Sequence, residues 1–271
     1  GVSHLIKTIE DEFGFPVLIR GKGGVRLTEN GRALLPAIRE ILNANDHMDQ
    51  IVANIRGMSF GRLRIGTFAS ASVLWLPKII EEFSHDYPGI QIEIIVGGND
   101  SLISQLDESC IDFAIMSNPP QGYEWIHLAS DRMLVLLPPG HRLVDKDRVT
   151  LDEIDDDPFI LSNEGFDYDV SQIIKGSGIT PRLSFSTMEN RGIIAMIQHG
   201  LGVTVMPEMV LDSLESNVIT KELAPCEYRH MGIIVKSVNT ASLAAKTFIS
   251  YAKRIISELG TYPPIDGELN A

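Results

Sequence analysis

The chain has 271 residues, 44% hydrophobic and 22% charged, which suits two or three compact units with their own cores and excludes a disordered tail as its main content. A formal net charge of −13 excludes wholesale nucleic-acid binding, because a phosphate-binding surface needs Lys and Arg. No run approaches the ~18 uninterrupted apolar residues of a membrane span, no basic-then-apolar leader opens the sequence, and two cysteines (Cys110, Cys226) are too few for a disulfide scaffold, so the expected location is the cytoplasm.

The charge is unevenly spread. Residues 1–64 carry nine Lys/Arg against seven Asp/Glu, a net +2, while the remainder carries −15. That division fits a DNA-facing segment on a body that DNA repels. Val2, Leu5, Ile6, Ile9 and Phe13 share one face of a predicted helix, which Gly14 stops. Residues 15–20 read as a short strand, Gly21-Lys22-Gly23-Gly24 as a turn and Val25-Arg26-Leu27 as the returning strand, together a small basic hairpin. Thr28 is placed to cap a long helix over residues 29–55, with Glu29 in its first turn. Leu34, Ile38, Ile41, Asn45, Met48, Val52 and Ile55 recur at alternating spacings of four and three, the seam of a coiled coil, so a homodimer is favoured over packing on the same chain.

Gly57-Met58-Ser59-Phe60-Gly61 breaks the helix and sets a domain boundary. Beyond it, strand 63–68, helix 72–87, strand 92–96, helix 100–108 and strand 113–116 alternate, which predicts parallel strands with helical crossovers, an α/β layer fold. A second lobe is expected from strand 133–137, a helix start capped at Thr150, strand 159–161, a helix from Tyr168, strand 182–186, helix 190–199 and strand 203–206. Strand 232–236 and helix 242–259 close the chain. The expected crossings between lobes lie near residues 117–132 and 223–230.

The run Gly1-Val-Ser-His-Leu-Ile-Lys-Thr-Ile-Glu-Asp-Glu-Phe-Gly, followed by Phe15-Pro-Val-Leu-Ile-Arg, resembles the recognition helix and first wing strand of LysR-type regulators. Val25-Arg26-Leu27-Thr28-Glu29-Asn30-Gly31 is similar to the family's wing and linker start, and Arg62-Leu63-Arg64-Ile65-Gly66, Asp112-Phe113-Ala114-Ile115 and Gly200-Leu201-Gly202-Val203-Thr204-Val205-Met206-Pro207 follow in family-like order. The resemblance implies a partial winged helix-turn-helix (1–28), a linker or dimerisation helix (29–57) and a two-lobed, periplasmic-binding-protein-like effector domain (61–271), with lobe 1 at about 61–120 and 232–260 and lobe 2 at about 130–225. It further implies a DNA-binding transcription regulator controlled by a small effector between the lobes, homodimeric through the linker helix and pairing into a tetramer. In the family two more helices precede the one at Val2, and without them tight DNA binding is not expected.

Under that resemblance Ser3, His4, Lys7 and Thr8 face DNA from the recognition helix, and Arg20, Lys22 and Arg26 meet phosphates or the minor groove from the wing. Two joined α/β lobes leave a cleft at the carboxyl ends of their strands. Candidate effector contacts there are Thr67, Ser70, Ala71, Ser72, Asn99, Ser101, Ser162, Thr187, Met188, Gly202 and Val203, whose hydroxyls and main-chain N–H groups suit a polar or anionic metabolite. Asp100 and Glu189 would repel an anion and leave room for an amine, and Ser70, Ser72 and Thr187 also read as helix caps. No HExxH, GxSxG, phosphate-cradling GxxxxGK or clustered metal ligands occur, so neither catalytic residues, cofactor nor metal is expected. The alternatives are a redox regulator using Cys110 and Cys226, and a solute-binding protein, which would need neither wing nor linker helix.

Overall fold

Gly14 ends the first helix, α1 (Val2–Phe13), with φ at 76°, a left-handed conformation that a residue without Cβ adopts freely. The computed structural model describes residues 1–21, 24–55, 60–118, 121–162, 168–187, 189–214 and 218–262. Strands β1 (Leu18–Gly21) and β2 (Gly24–Leu27) pair antiparallel as the expected wing. Glu10 ties that wing to α1: its Oε1 accepts the N–H groups of Val17 (2.8 Å) and Leu18 (3.0 Å), and these bonds hold its carboxyl below the usual range. Thr28 caps α2 (Glu29–Ile55), its Oγ1 accepting from Gly31 N–H and donating to the Pro16 carbonyl, both at 2.9 Å.

Lobe 1 builds β3 (Gly61–Thr67), α3 (Ala69–Leu74), α4 (Leu76–Asp86), β4 (Ile90–Val96), α5 (Asn99–Asp107) and β5 (Phe113–Ser117). The chain then enters β6 (Glu124–Leu137), followed by β7 (Arg148–Thr150), a 3-10 turn (Asp152–Ile154), β8 (Pro158–Ser162), α6 (Tyr168–Ser177), β9 (Arg182–Thr187), α7 (Asn190–Gln198), β10 (Thr204–Pro207), α8 (Glu208–Leu214) and β11 (Ile219–Ala224). It returns through β12 (Tyr228–Val235) and closes lobe 1 with α9 (Leu243–Leu259). An aromatic cluster of Trp75, Phe83, Phe113 and Phe248 centres the lobe 1 core, with the Phe83 and Phe248 rings 5.1 Å apart. Phe159, Val135, Leu137, Val149, Val203 and Leu223 centre that of lobe 2. Each such fully buried side chain stabilises the fold by roughly 1.5–3 kcal/mol.

The main sheet has the order β4-β3-β5-β12-β6-β11-β7, with β10 also on β6. It is mixed rather than purely parallel: β3, β4 and β5 run parallel, whereas β12 is antiparallel to both β5 and β6. β6 is therefore the joint between lobes, its first half pairing with β12 and its second with β10 and β11. The expected helix start at Thr150 is corrected: Thr150 ends β7, and the 3-10 turn that follows is stopped by Asp155-Asp156-Asp157-Pro158, since a residue before proline is pushed out of the helical region.

One side of α2 docks on lobe 1. Arg39 pairs with Glu108 at 2.5 Å, Asn43 Nδ2 donates to the Ser109 carbonyl at 3.0 Å, and Arg64 donates to Asn43. Of the expected seam, Leu34 is half-buried while Ile38, Ile41, Met48 and Val52 are exposed, Ile41 at 70%. The same-chain alternative thus accounts for the polar side of α2 and not for its apolar stripe. Gly57 to Ser59 of the expected break lie outside the described residues. Among the described residues no helix is long and apolar enough to cross a membrane.

Candidate functional site

Ser3, His4, Lys7 and Thr8 are all exposed on α1, with the Thr8 hydroxyl donating back to the His4 carbonyl at 3.0 Å. Val2, Leu5, Ile9 and Phe13 are exposed as well, so the apolar face has no cover among the described residues. In the wing, Arg20 pairs with Val25 and Arg26 with Ile19. Paired residues share a face and successive residues alternate, so the two arginines leave opposite faces of the ribbon. Lys22 lies outside the described residues.

The parallel register of lobe 1 puts the carboxyl ends of its strands on one edge, with Thr67 beside Val96 on one side and Ile115 on the other. Thr67 is fully buried, and its carbonyl accepts from Gly97 N–H at 3.0 Å. Asn99, buried at the start of α5, donates from Nδ2 to the Ser117 carbonyl at 2.9 Å, which clamps the second loop onto the third. Ser101 is exposed and accepts from Gln105 Nε2 at 3.2 Å. Ala71 is buried, and the Ser72 hydroxyl donates to the Ala69 carbonyl at 2.6 Å, a bond inside the helix and not a cap. Ser70 is 3% exposed, and its Oγ has no hydrogen-bond partner among the described residues.

In lobe 2, Ser162 and Thr187 meet as register partners at the carboxyl ends of β8 and β9, Ser162 buried. Thr187 Oγ1 accepts from Glu189 N–H, while the cap of α7 is Glu189, accepting from Arg191 N–H, both at 3.2 Å. Gly202 and Val203 are not brought to this edge. Val203 bridges Phe159 in parallel and donates its N–H to the Pro158 carbonyl at 2.8 Å, so the pair sits at the opposite end of β8 from Ser162. The reason is direction: β10 runs alongside β8, and its cleft end is Pro207, where α8 begins. Met188 lies outside the described residues.

Between the lobes is a polar joint that the sequence reading missed. Asp131, fully buried on β6, accepts from Arg229 of β12 at 2.6 Å and from the Met209 N–H at the head of α8 at 3.1 Å. Burial pushes its carboxyl up, while Arg229 and Met209 pull it back. The Arg229 guanidinium stacks 4.8 Å over Phe68, the residue that precedes α3, and its Nε has no hydrogen-bond partner among the described residues. Asp169, in the first turn of α6, accepts from Ser117 Oγ (2.9 Å) and Asn118 Nδ2 (2.5 Å) of lobe 1. Burial raises its carboxyl above the ordinary range, opposed first by Arg229 and then by these bonds. Ser130 Oγ lies 2.9 Å from His230 Nδ1 and 3.3 Å from His127 Nε2, and burial followed by His230 lowers the His127 ring. The available signal was Ser130-Asp131-Arg132, a polar triplet between Leu128-Ala129 and the apolar run 133–137.

Cys110 and Cys226 are both free, Cys226 exposed and Cys110 partly covered. No His, Cys, Asp and Glu cluster able to hold a metal occurs among the described residues.

Two α/β lobes, joined by one long strand and carried on a capped helix with a basic hairpin, are the architecture of a ligand-binding domain on a linker helix rather than of a free-standing binding protein. The chain belongs to the LysR family of transcriptional regulators: the profile of the LysR substrate binding domain matches residues 56–256. It is 34% identical over 257 residues to the uncharacterized HTH-type transcriptional regulator YvbU of Bacillus subtilis (strain 168), covering 94% of this chain and 88% of that one. Its fold is similar to a full-length OxyR variant from Pseudomonas aeruginosa, with a TM-score of 0.72 at 21% identity over 94% of this chain and 84% of that one. It is also similar to the effector binding domain of QuiR in complex with shikimate, with a TM-score of 0.66 at 19% identity over 74% and 99% of the two chains. The protein is a DNA-binding transcription regulator with an effector-binding domain, and the regulator reading stands over a solute carrier.

Proposed function

We propose that the chain works in the cytoplasm as a sensor of a small polar or anionic metabolite bound at the carboxyl edge of lobe 1 and the facing ends of β8 and β9, and acts on operator DNA as a dimer through α2 that pairs into a tetramer. The observation that carries the ligand class is two buried donors without acceptors among the described residues, Ser70 Oγ, two positions after Phe68, and Arg229 Nε, whose guanidinium stacks on Phe68. An unmet buried donor costs about 1–3 kcal/mol, and a ligand oxygen satisfies it. Thr67, Asn99, Ser162 and Thr187 supply further polar lining, and Ala71, Ser72 and Ser101 border it. Ser3, His4, Lys7, Thr8, Arg20, Lys22 and Arg26 serve the DNA side. Exposed Ile38, Ile41, Met48 and Val52 support the dimer.

The test is the thermal midpoint of the 271-residue chain against small carboxylic acids, amino acids, aromatic acids and sugars. A ligand that binds only the folded state raises the midpoint with concentration. The expected result is such a rise for one anionic or polar class, lost in Ser70→Leu and Thr187→Leu. A rise that both variants retain overturns the site, and a midpoint that moves only with peroxide overturns the ligand reading in favour of the cysteines.

A further inference from the structure

Beside the joint between the lobes, and lined by none of the candidate effector contacts, is a cavity of about 580 Å³. That volume falls within the roughly 300–1,000 Å³ of small-molecule sites. Leu151, Ile173, Leu223 and Tyr228 supply apolar wall. Asp152, Asp169 and Glu227 supply carboxylates, and none of the described lining residues is Lys, Arg or His. Arg229, whose charge reaches Asp169, is already paired with Asp131 at 2.6 Å. The donors that Asp169 does receive, Ser117 and Asn118, are neutral.

We infer that this cavity takes a small organic cation, a protonated amine on an apolar or aromatic body. An anion meets three carboxylates there, and a wholly apolar ligand leaves the largely covered Asp169 carboxylate without a counter-charge. A bare metal ion is disfavoured, because the three carboxylates do not come together as a metal-holding group. An amine gains the carboxylates as charged acceptors, and the ring of Tyr228 offers a face to a cation. The carboxyl of Asp169, raised first by burial, agrees with a group whose charge its neighbours do not fully compensate. Asn118 belongs to lobe 1, Ile173 to lobe 2 and Tyr228 to the first position of β12, so an occupant touches both lobes and a strand that joins them. Binding there is coupled to the lobe angle, and hence to the effector cleft, to whatever extent the cation prefers one angle.

The experiment is calorimetric titration of the full 271-residue chain with 2-phenylethylamine and putrescine, and with phenylacetate as the charge-reversed probe. The expected result is saturable binding of at least one amine and none of phenylacetate in this cavity. Affinity should fall about tenfold or more in the Asp152→Asn/Glu227→Gln double variant, with its thermal midpoint kept. Ser70→Leu should leave amine binding unchanged, which separates this site from the effector cleft. Amine affinity should weaken with added salt. No binding of either amine at millimolar concentration, equal affinity in the double variant, or competition by phenylacetate overturns the inference.

Discussion

Ser117, the last residue of β5, donates its hydroxyl to the carboxylate of Asp169 at the head of α6 over 2.9 Å, so the two lobes are latched by a bond between the end of a strand and the start of a helix. Burial raises the Asp169 carboxyl, so the folded protein holds that proton more tightly than the unfolded chain does. The stabilising contribution is then complete below the ordinary value of 3.8 and is lost as pH rises through the raised folded value. Thermal midpoints of the chain and of Asp169→Asn, measured from acid to neutral pH, should show the unmodified chain losing ground to the variant as pH rises. A difference independent of pH would mean that the bonds from Ser117 and Asn118 offset burial completely.

Asp131 and Arg229 form a buried pair on neighbouring strands, and Asp131 also holds the head of α8. Arg229→Met strands a buried carboxylate and should cost about 3–5 kcal/mol in urea unfolding. The double variant Asp131→Leu/Arg229→Met should recover much of that loss, because no buried charge is left behind. A double variant as unstable as the single one would show that the Met209 N–H bond matters more than the charge.

Ser70→Ala removes an unpartnered buried hydroxyl. Folding stability should rise by about 1 kcal/mol or stay level, while the thermal response to the effector falls. A clear loss of stability in the ligand-free chain would count against Ser70 as a reserved ligand contact.

Ile38 and Ile41 are exposed on the α2 seam. Replacing both with Asp sets charges into an apolar stripe, and sedimentation velocity should show a shift toward a smaller species at equal concentration. An unchanged sedimentation coefficient would move the dimer contact away from α2.

A Cβ built at Gly202 would stand 2.3 Å from the Pro158 carbonyl oxygen, where β8 and the start of β10 press together. Gly202→Ala should therefore destabilise the protein by about 1–3 kcal/mol, with effector affinity little changed in the fraction that folds. Loss of affinity without loss of stability would return Gly202 to the ligand site.

Elements whose periodicity is local were legible in the sequence. The wing, the Thr28 cap, α2 and the α/β alternation through β5 follow from residues close together in the chain, and α9 carries its own Ser242 cap, bonded to Ala245 N–H. β6 was half hidden, because Ser130-Asp131-Arg132 interrupts the apolar run that marks a buried strand. α8 was missed because seven residues make only two turns, and β11 because Thr220-Lys221-Glu222 breaks the apolar alternation of a strand.

What the sequence by itself determined was the order of the units and most of the loops that open at the carboxyl ends of strands, because capping, turn chemistry and hydrophobic period act over a few residues, and the family, because whole runs such as residues 1–20 and 25–31 resemble its members. Only the tertiary structure decided the direction of β10 beside β8, which takes Gly202 and Val203 away from Ser162. It alone brought Asp131 to Arg229, 98 positions apart, and Ser117 to Asp169, 52 apart. Partners that distant have no spacing rule in the sequence: they meet because strands pair across the sheet, and the pairing is set by burial of whole faces rather than by any neighbouring residue.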